Sequence, residues 1–315
     1  MTTRFFQRFW PIGIVAGCVG LSGTSWAEES CIAVLYPQVS DPYRVVLEEI
    51  MAGVEQATDW QVLRIEVPTP GSGDTAGVVE DASQCRSAIG LGRAGLDAAK
   101  RLATKMPVVA GAVLMQPGQT ADVPTFSFVP GANELFVRLK HYLPGVRTVT
   151  VIHDPAYSGV LVAQAATSAR DMGIELIALE ARNLQDAAVL YKRVLAESKP
   201  DSDAIWLVRD AAAIDTGAVL TLVLEHAWKR KLVVFSDQLA HVRYGVLFSV
   251  YPDNVKLGWR MGEFAQKCAT DGCGAKEVIL LHDLDTAVNI RTAQRLGIII
   301  DRRNGPYADL VLPAN

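Results

Sequence analysis

The chain is predicted to be α/β, built as two doubly wound parallel-sheet lobes joined by a hinge that the backbone crosses three times. Short β-branched runs alternate with helical-period segments from Ile32 to Phe235, the pattern of parallel βαβ units. The alternation fills two consecutive sets of about 100 residues each, with no long polar linker between them. What remains after Gly245 is too small for a third domain, so it completes the two lobes and carries the backbone across near Val129, near Phe248 and near Asp283. The expected bounds are 28–128 with 248–282 for the first lobe, and 129–247 with 283–315 for the second, after a leader of 1–27.

Element by element, Ile32 to Tyr36 is a buried strand, and Pro42 to Gln56 repeats apolar residues at helical spacing behind Asp41 as a cap. Val62 to Val67 is a strand, the stretch from Pro68 to Asp74 a Pro/Gly-rich loop, and Ser87 to Gly90 a third strand. Leu96 to Lys105 reads as helix, Pro107 to Leu114 and Val123 to Val129 as strands. In the second set, helices over Asn133 to Tyr142, Val160 to Met172, Leu184 to Glu197 and Ala218 to Lys229 alternate with strands over Thr148 to Ile152, Glu175 to Leu179, Ala204 to Val208 and Leu232 to Phe235. Gly245 to Val250 and Val278 to Leu281 are further apolar runs, Asn254 to Cys268 is helical, and Thr286 to Gly297 ends in a helix.

Half of the 315 residues are hydrophobic, the charged fraction is 20% and the net charge is -4, with no basic run, which excludes a nucleic-acid surface. Arg4 and Arg8 precede an apolar stretch from Phe9 to Leu21, and Ser25-Trp26-Ala27 fits a small-x-small cleavage site, so an exported, periplasmic protein is expected. Val15-Ala16-Gly17-Cys18 offers the alternative of a lipid anchor through Cys18. In an exported chain the four remaining cysteines are expected to pair, Cys31 with Cys85 because the first and third strands of a doubly wound unit are neighbours, and Cys268 with Cys273 across a short turn.

Gly90-Leu-Gly92-Arg-Ala-Gly95 matches a dinucleotide fingerprint, but Val108 to Met115 lacks the acidic residue that should follow, so no cofactor is expected. None of the five histidines has a partner at metal-ligand spacing, and no nucleophile elbow or P-loop is present, so neither a metal site nor an enzyme is expected. Ligands of open parallel sheets bind beyond the carboxyl ends of strands. The residues following strands are Tyr36, Gly92, Arg93, Ala112, Val113, Asp154, Tyr157, Ser158, Arg209, Asp210, Ser236, Asp237 and Tyr251; all but Ser236 form the expected ligand-binding set. The polar stretch Asp154 to Gly159 is read as a loop forming one wall. Asp for an ammonium, Arg or a helix N-terminus for a carboxylate, and Tyr for stacking would suit a small zwitterion.

Leu139-Lys-His-Tyr-Leu-Pro-Gly-Val-Arg147 leading into His153-Asp-Pro-Ala-Tyr-Ser-Gly159, Ala240-His-Val-Arg-Tyr-Gly245 leading to Tyr251-Pro-Asp-Asn254, and Asn289-Ile-Arg-Thr-Ala-Gln-Arg-Leu-Gly297 resemble the ABC-transporter substrate-binding proteins of the tryptophan- and tyrosine-binding type. The resemblance implies a type I periplasmic-binding-protein fold that captures a small amino-acid-like ligand for an ABC permease in the inner membrane, as a monomer. Asp154-Pro155 stands where such proteins often carry Asn-Pro, and Gly92-Arg93 where a small hydroxyl residue is expected, which opens the ligand class to charged or differently shaped solutes. Two other readings are a sensory ligand-binding module that signals to a receptor kinase, and a Rossmann-type nucleotide-dependent enzyme.

Overall fold

Alternating runs in the sequence become two sheets, each wrapped by helices on both faces. The computed structural model describes residues 1–2, 30–68, 75–215, 217–300 and 307–313. The leader from Arg4 to Ala27, with Cys18, and the Pro/Gly-rich stretch 69–74 lie outside them. The first lobe runs β1 (Cys31–Pro37), α1 (Tyr43–Ala57), β2 (Gln61–Val67), α2 (Thr75–Ala82), β3 (Ser87–Leu91), α3 (Gly92–Leu102), β4 (Val108–Val113) and β5 (Thr125–Pro130). The second runs α4 (Ala132–Tyr142), β6 (Thr148–His153), α5 (Pro155–Asp171), β7 (Glu175–Glu180), α6 (Leu184–Glu197), β8 (Asp203–Leu207), α7 (Ala218–Arg230), β9 (Val233–Ser236), α8 (Leu239–Tyr244) and β10 (Phe248–Pro252). The chain then returns to the first lobe for α9 (Asn254–Asp271) and β11 (Val278–Leu281), and ends in the second with β12 (Leu284–Asn289), α10 (Ile290–Leu296) and β13 (Leu310–Leu312).

Strand order is β11-β5-β4-β3-β1-β2 in the first sheet and β13-β12-β10-β9-β8-β6-β7 in the second. Every pairing is parallel except β10 with β12. Successive side chains on a strand point to opposite faces, which is why each sheet has two cores. Ile32 and Val34 pack with α1 and α9, Ala33 and Leu35 with α2 and α3. Val149 and Val151 pack with α4 and α5, while Ile152 packs with α6 and α7. No helix among the described residues is long and apolar enough to cross a membrane.

Three passages link the lobes, at Pro130–Ala132, Pro252–Asn254 and Leu281–Leu284. They lie side by side: Gly131 N donates to Leu281 O at 3.1 Å and Asp253 N to Asp283 O at 3.1 Å. The second passage falls after Pro252 and not near Phe248, because β10 pairs with β9 and β12 and so stays in the second sheet.

Local chemistry explains where elements depart from the sequence reading. The helix expected from Val160 starts at Pro155, so the segment read as a polar loop is its first turn. Asp154 caps that turn by accepting from Ala156 N at 2.9 Å, and a proline at the first helical position has no N–H to leave unpaired. Asp41 does not cap α1; it binds Arg44 in the first turn instead. Periodicity missed the short elements α2, α8 and β13, of 8, 6 and 3 residues.

Cys31 and Cys85 are joined, tying β1 to the turn before β3. Cys268 and Cys273 are both free, contrary to the expected second pair. The helix runs on through Cys268 to Asp271, which keeps the Cys268 thiol in the core, and Cys273 Sγ is turned to Val108 O at 3.6 Å. Burial, then the neighbouring Cys273 thiol, holds the Cys268 thiol well above its ordinary range and therefore protonated.

Candidate functional site

In a doubly wound sheet the crevice opens where strand order reverses direction, at the carboxyl ends. Here the chain goes from β1 outward to β2 and then to the other side at β3, so the first reversal lies between β1 and β3. The second lies between β6 and β8, since β7 is placed on the far side of β6. The two reversals bring Tyr36, Gly92 and Arg93 to one place on the first lobe, and Asp154, Tyr157, Ser158, Arg209 and Asp210 to one place on the second.

The two lobes also touch away from the crossing passages. The loop after β4 reaches the first turns of α5, where a Cβ added to Gly118 would lie 2.9 Å from Val160 Cγ2. The lobes therefore touch at one contact remote in sequence from the three crossing passages.

On the second lobe the wall is a hydrogen-bonded unit. Asp210, 3% exposed, accepts at Oδ2 from Asp154 N at 2.8 Å and from the Ser158 hydroxyl at 2.6 Å, and at Oδ1 from Ala212 N at 3.0 Å. Those bonds occupy Ser158 and Asp210, which makes them braces of the wall. Asp237, at the end of β9, accepts from Arg209 N at 3.0 Å through Oδ2, while its buried Oδ1 has no hydrogen-bond partner. Burial raises its carboxyl to about 6, against the lowering effect of Arg209. The Arg209 side chain is half-buried and makes no ion pair or hydrogen bond among the described residues.

Next to this unit, Ser236 Oγ lies 2.9 Å from Nδ1 of buried His241, bonds Leu207 O at 3.0 Å and accepts from Gln238 N at 3.1 Å. Burial lowers His241 to about 4, so the ring is neutral. With its hydroxyl so engaged and fully buried, Ser236 fixes the β9–α8 turn and is not a nucleophile. His241 was weighed in the sequence only as one of five histidines without a partner at metal-ligand spacing, and its place inside the six-residue α8 was not recognised.

On the first lobe the predicted residues divide. Tyr36 lines a cavity of about 170 Å³ with Val39, Leu47, Met51 and Arg64. Gly92 takes φ +65° to start α3, which is why that helix begins at Gly92 and not at Leu96. The flanking glycines serve packing: a Cβ on Gly90 would lie 2.3 Å from Gly95 O, and one on Gly95 2.4 Å from Leu35 O. The glycine motif is thus accounted for by the seating of α3 on β1 and β3. Arg93 is exposed and without a partner among the described residues. The Ala112 and Val113 side chains pack against the cores on opposite faces of the sheet, and the Val113 carbonyl accepts from the Ser127 hydroxyl at 3.4 Å.

Tyr251 stands apart from the rest. It pairs with Asp285 on the crossing strands, and burial together with Asp285, Asp309 and Asp253 pushes its phenol up to about 12. The same region holds Arg138, 4% exposed, which donates to Thr286 Oγ1 at 2.8 Å, Leu284 O at 2.7 Å and Glu134 Oε2 at 3.0 Å. Glu134 also faces His282 at 3.8 Å, and Arg260 of α9 pairs with Asp283. Leu114, Gln116 and Gly118, on the loop that meets α5, were not among the expected ligand-binding residues, because a loop after a strand carries no periodic signal.

A sequence model of the family described as ABC transporter substrate binding protein matches residues 133–311. Among solved structures, the ligand-free, open form of a substrate-binding protein with adhesive properties from Clostridium difficile is 15% identical, covers 90% of this chain and 99% of its own, and has a TM-score of 0.60. An ABC domain from Streptococcus pneumonia in complex with L-Trp is 19% identical over 89% of this chain and 100% of its own, at a TM-score of 0.48. A periplasmic ribose ABC transporter protein from Conexibacter woesei is 14% identical over 85% and 94%, also at 0.48. At these identities the likeness concerns the fold alone. No curated protein matches the sequence.

Proposed function

The chain belongs to the ABC transporter substrate-binding proteins, and from that premise we propose that it is an exported, periplasmic receptor that closes on a small amino-acid-like solute and hands it to an inner-membrane permease. Its fold is of the type I periplasmic-binding-protein kind, and its family is one of solute-binding proteins, not a class of enzymes. The reading is supported by each lobe being a doubly wound sheet with its own reversal point, the two joined by three adjacent crossings and by the Gly118–Val160 contact; the gap between the two reversal points is read as the ligand site. A ligand bridging both walls stabilises the closed form by contacts the open form cannot make together.

The amino-acid-like class is supported by the second wall. Arg209 is a half-buried guanidinium with no ion pair among the described residues, suited to a carboxylate. The reading takes in Tyr36, Gly92, Arg93, Tyr157, Ala112 and Val113 as the remaining contacts.

Thermal-shift measurements on the mature protein against amino acids, sugars, peptides and nucleobases test this. A ligand present at 100 times its dissociation constant adds about 2.7 kcal/mol of stability, and the expected result is a clear rise in Tm with one or more L-amino acids. A rise with sugars alone would remove the amino-acid class and keep the receptor.

A further inference from the structure

We propose that His282 is a pH-dependent latch on the hinge: when charged it ties the third crossing passage to α4 of the second lobe, and when neutral it releases that tie and lets the lobes rotate. The latch acts on the hinge itself, beyond the choice of solute.

The third passage is only His282 and Asp283, between the end of β11 at Leu281 and the start of β12 at Leu284. The two residues are held by opposite lobes. Arg260 of α9, in the first lobe, donates from Nη2 to Asp283 Oδ1 at 3.2 Å. His282 Nδ1 lies 3.8 Å from Glu134 Oε1 on α4, in the second lobe. The imidazole also rests on the first passage, since a Cβ added to Gly131 would lie 3.3 Å from its Cε1. From the second passage, Asp253 N donates to Asp283 O at 3.1 Å. The His282–Glu134 pair therefore sits where rotation of one lobe against the other is absorbed.

Both ends of this chain of charges are fixed. Arg138, 4% exposed, donates to Glu134 Oε2 at 3.0 Å and to Thr286 Oγ1 and Leu284 O of β12 at 2.8 and 2.7 Å. Arg260 belongs to a helix seated directly on α1, where a Cβ on Gly258 would lie 1.9 Å from Ile50 O. Arginine keeps its charge throughout, so of these links His282 alone changes charge near neutral pH. At 3.8 Å its contact with Glu134 is longer than an N–H···O hydrogen bond and depends on the imidazolium charge. A neutral ring loses it.

The groups facing the ring set the sense. Glu134 favours the charged form, as Asp283 does more weakly, while burial and Arg260 oppose it, and the balance holds the imidazole above its ordinary value. Arg138 faces the other oxygen of Glu134, and Lys256 is taken up by Asp253. The latch is engaged below the ordinary histidine value of about 6.5 and is released as pH rises through the raised one.

Small-angle X-ray scattering of the ligand-free mature protein, from about pH 5.5 to about pH 9, tests this beside His282→Gln and His282→Lys. The His282 side chain is 56% exposed, so neither substitution disturbs a core. Wild type is expected to shift its radius of gyration between the two ends, with a midpoint that coincides with that of the His282 ring protons followed by NMR. His282→Gln should give the alkaline wild-type radius at every pH, and His282→Lys, which keeps a cation there, the acid one. A wild-type radius that does not move with pH, or a transition that survives in His282→Gln, overturns the latch. Because no solute is present, failure to bind amino acids would overturn the ligand class proposed above and leave this result standing.

Discussion

The Asp210 carboxylate accepts the Ser158 hydroxyl at 2.6 Å, fastening the end of β8 to the first turn of α5 where the second sheet reverses its strand order. Through the same oxygen it holds Asp154 N at 2.8 Å. Both partners lie on the segment that carries Tyr157, so a buried charge of the second lobe determines how that wall is presented.

Replacing Asp210 by Asn keeps one acceptor but sets an amide donor against a hydroxyl and an N–H. Hydrogen bonds to a charged group contribute about 1.5–3 kcal/mol each, so Asp210→Asn is expected to cost roughly 3 kcal/mol and Ser158→Ala about 1–2 kcal/mol. The double variant should cost less than the sum of the two, since the partners share one interaction. Urea denaturation of the four proteins measures this; strictly additive losses would mean that the two residues act independently.

Asp237 and His241 move stability in opposite directions with pH. Burial raises Asp237 to about 6, above the ordinary carboxylate value of about 3.9, so the folded state takes up this proton first. Its cost to the fold is complete above pH 6 and is relieved as pH falls towards 4. Burial lowers His241 to about 4, whereas an unfolded imidazole charges near 6.5, so this group removes stability as pH falls from about 6.5 to 4. Each shift of about two units corresponds to roughly 3 kcal/mol, with opposite sign. Asp237→Asn should therefore become more acid-sensitive than wild type between pH 4 and 6, and His241→Gln less so. Denaturant midpoints taken across that window decide it: parallel pH profiles for the two variants would contradict these shifts.

How much of this was readable beforehand depends on the range of the interaction concerned. The sheets were legible because a strand such as Ile32 to Leu35 must be apolar on both faces once helices cover both sides, and that demand is written locally. The strand-end rule picked out Asp154, Arg209, Asp210 and Asp237, which the structure places at the carboxyl ends of β6, β8 and β9. It could not tell contact from brace: Ser158 and Asp210 are consumed by each other, 52 residues apart in sequence. Tyr251 lies on a strand that leads into the hinge, and its position follows from antiparallel pairing with Asp285, which local pattern does not show. Leu114 escaped notice because its exposure is produced by Ser127 and Gln119 acting on a loop with no periodicity of its own.

His282 and Glu134 bring a titratable contact to the hinge. The Glu134 carboxylate holds the His282 imidazole above its ordinary value, with burial, Arg260 and Asp283 as the other influences. His282 in turn is the main cause that keeps Glu134 low. The stabilising contribution is complete below the unfolded histidine value of about 6.5 and is lost as pH rises through the raised folded value. Glu134→Gln should bring the His282 midpoint down, read by NMR titration of its ring protons. An unchanged midpoint would show that the carboxylate does not set the histidine.

The Cys31–Cys85 bond closes a chain segment with a sequence separation of 54, and a loop of that length is worth about 4 kcal/mol by the entropy of the unfolded state. Its strand partners make the effect local to the first sheet, because β1 lies between β2 and β3 and so carries the centre of the ladder on which α3 is seated. The variant with both residues changed to Ser is expected to lose about that much stability, and reductant should lower the Tm of wild type but not of the variant. Thiol labelling of the unreduced, unfolded chain should modify Cys268 and Cys273 and leave Cys31 and Cys85 untouched. Protection of Cys268 and Cys273 from label would mean that these neighbouring thiols are bonded in the protein as isolated, and labelling of Cys31 or Cys85 would mean that the first sheet holds together without its covalent tie.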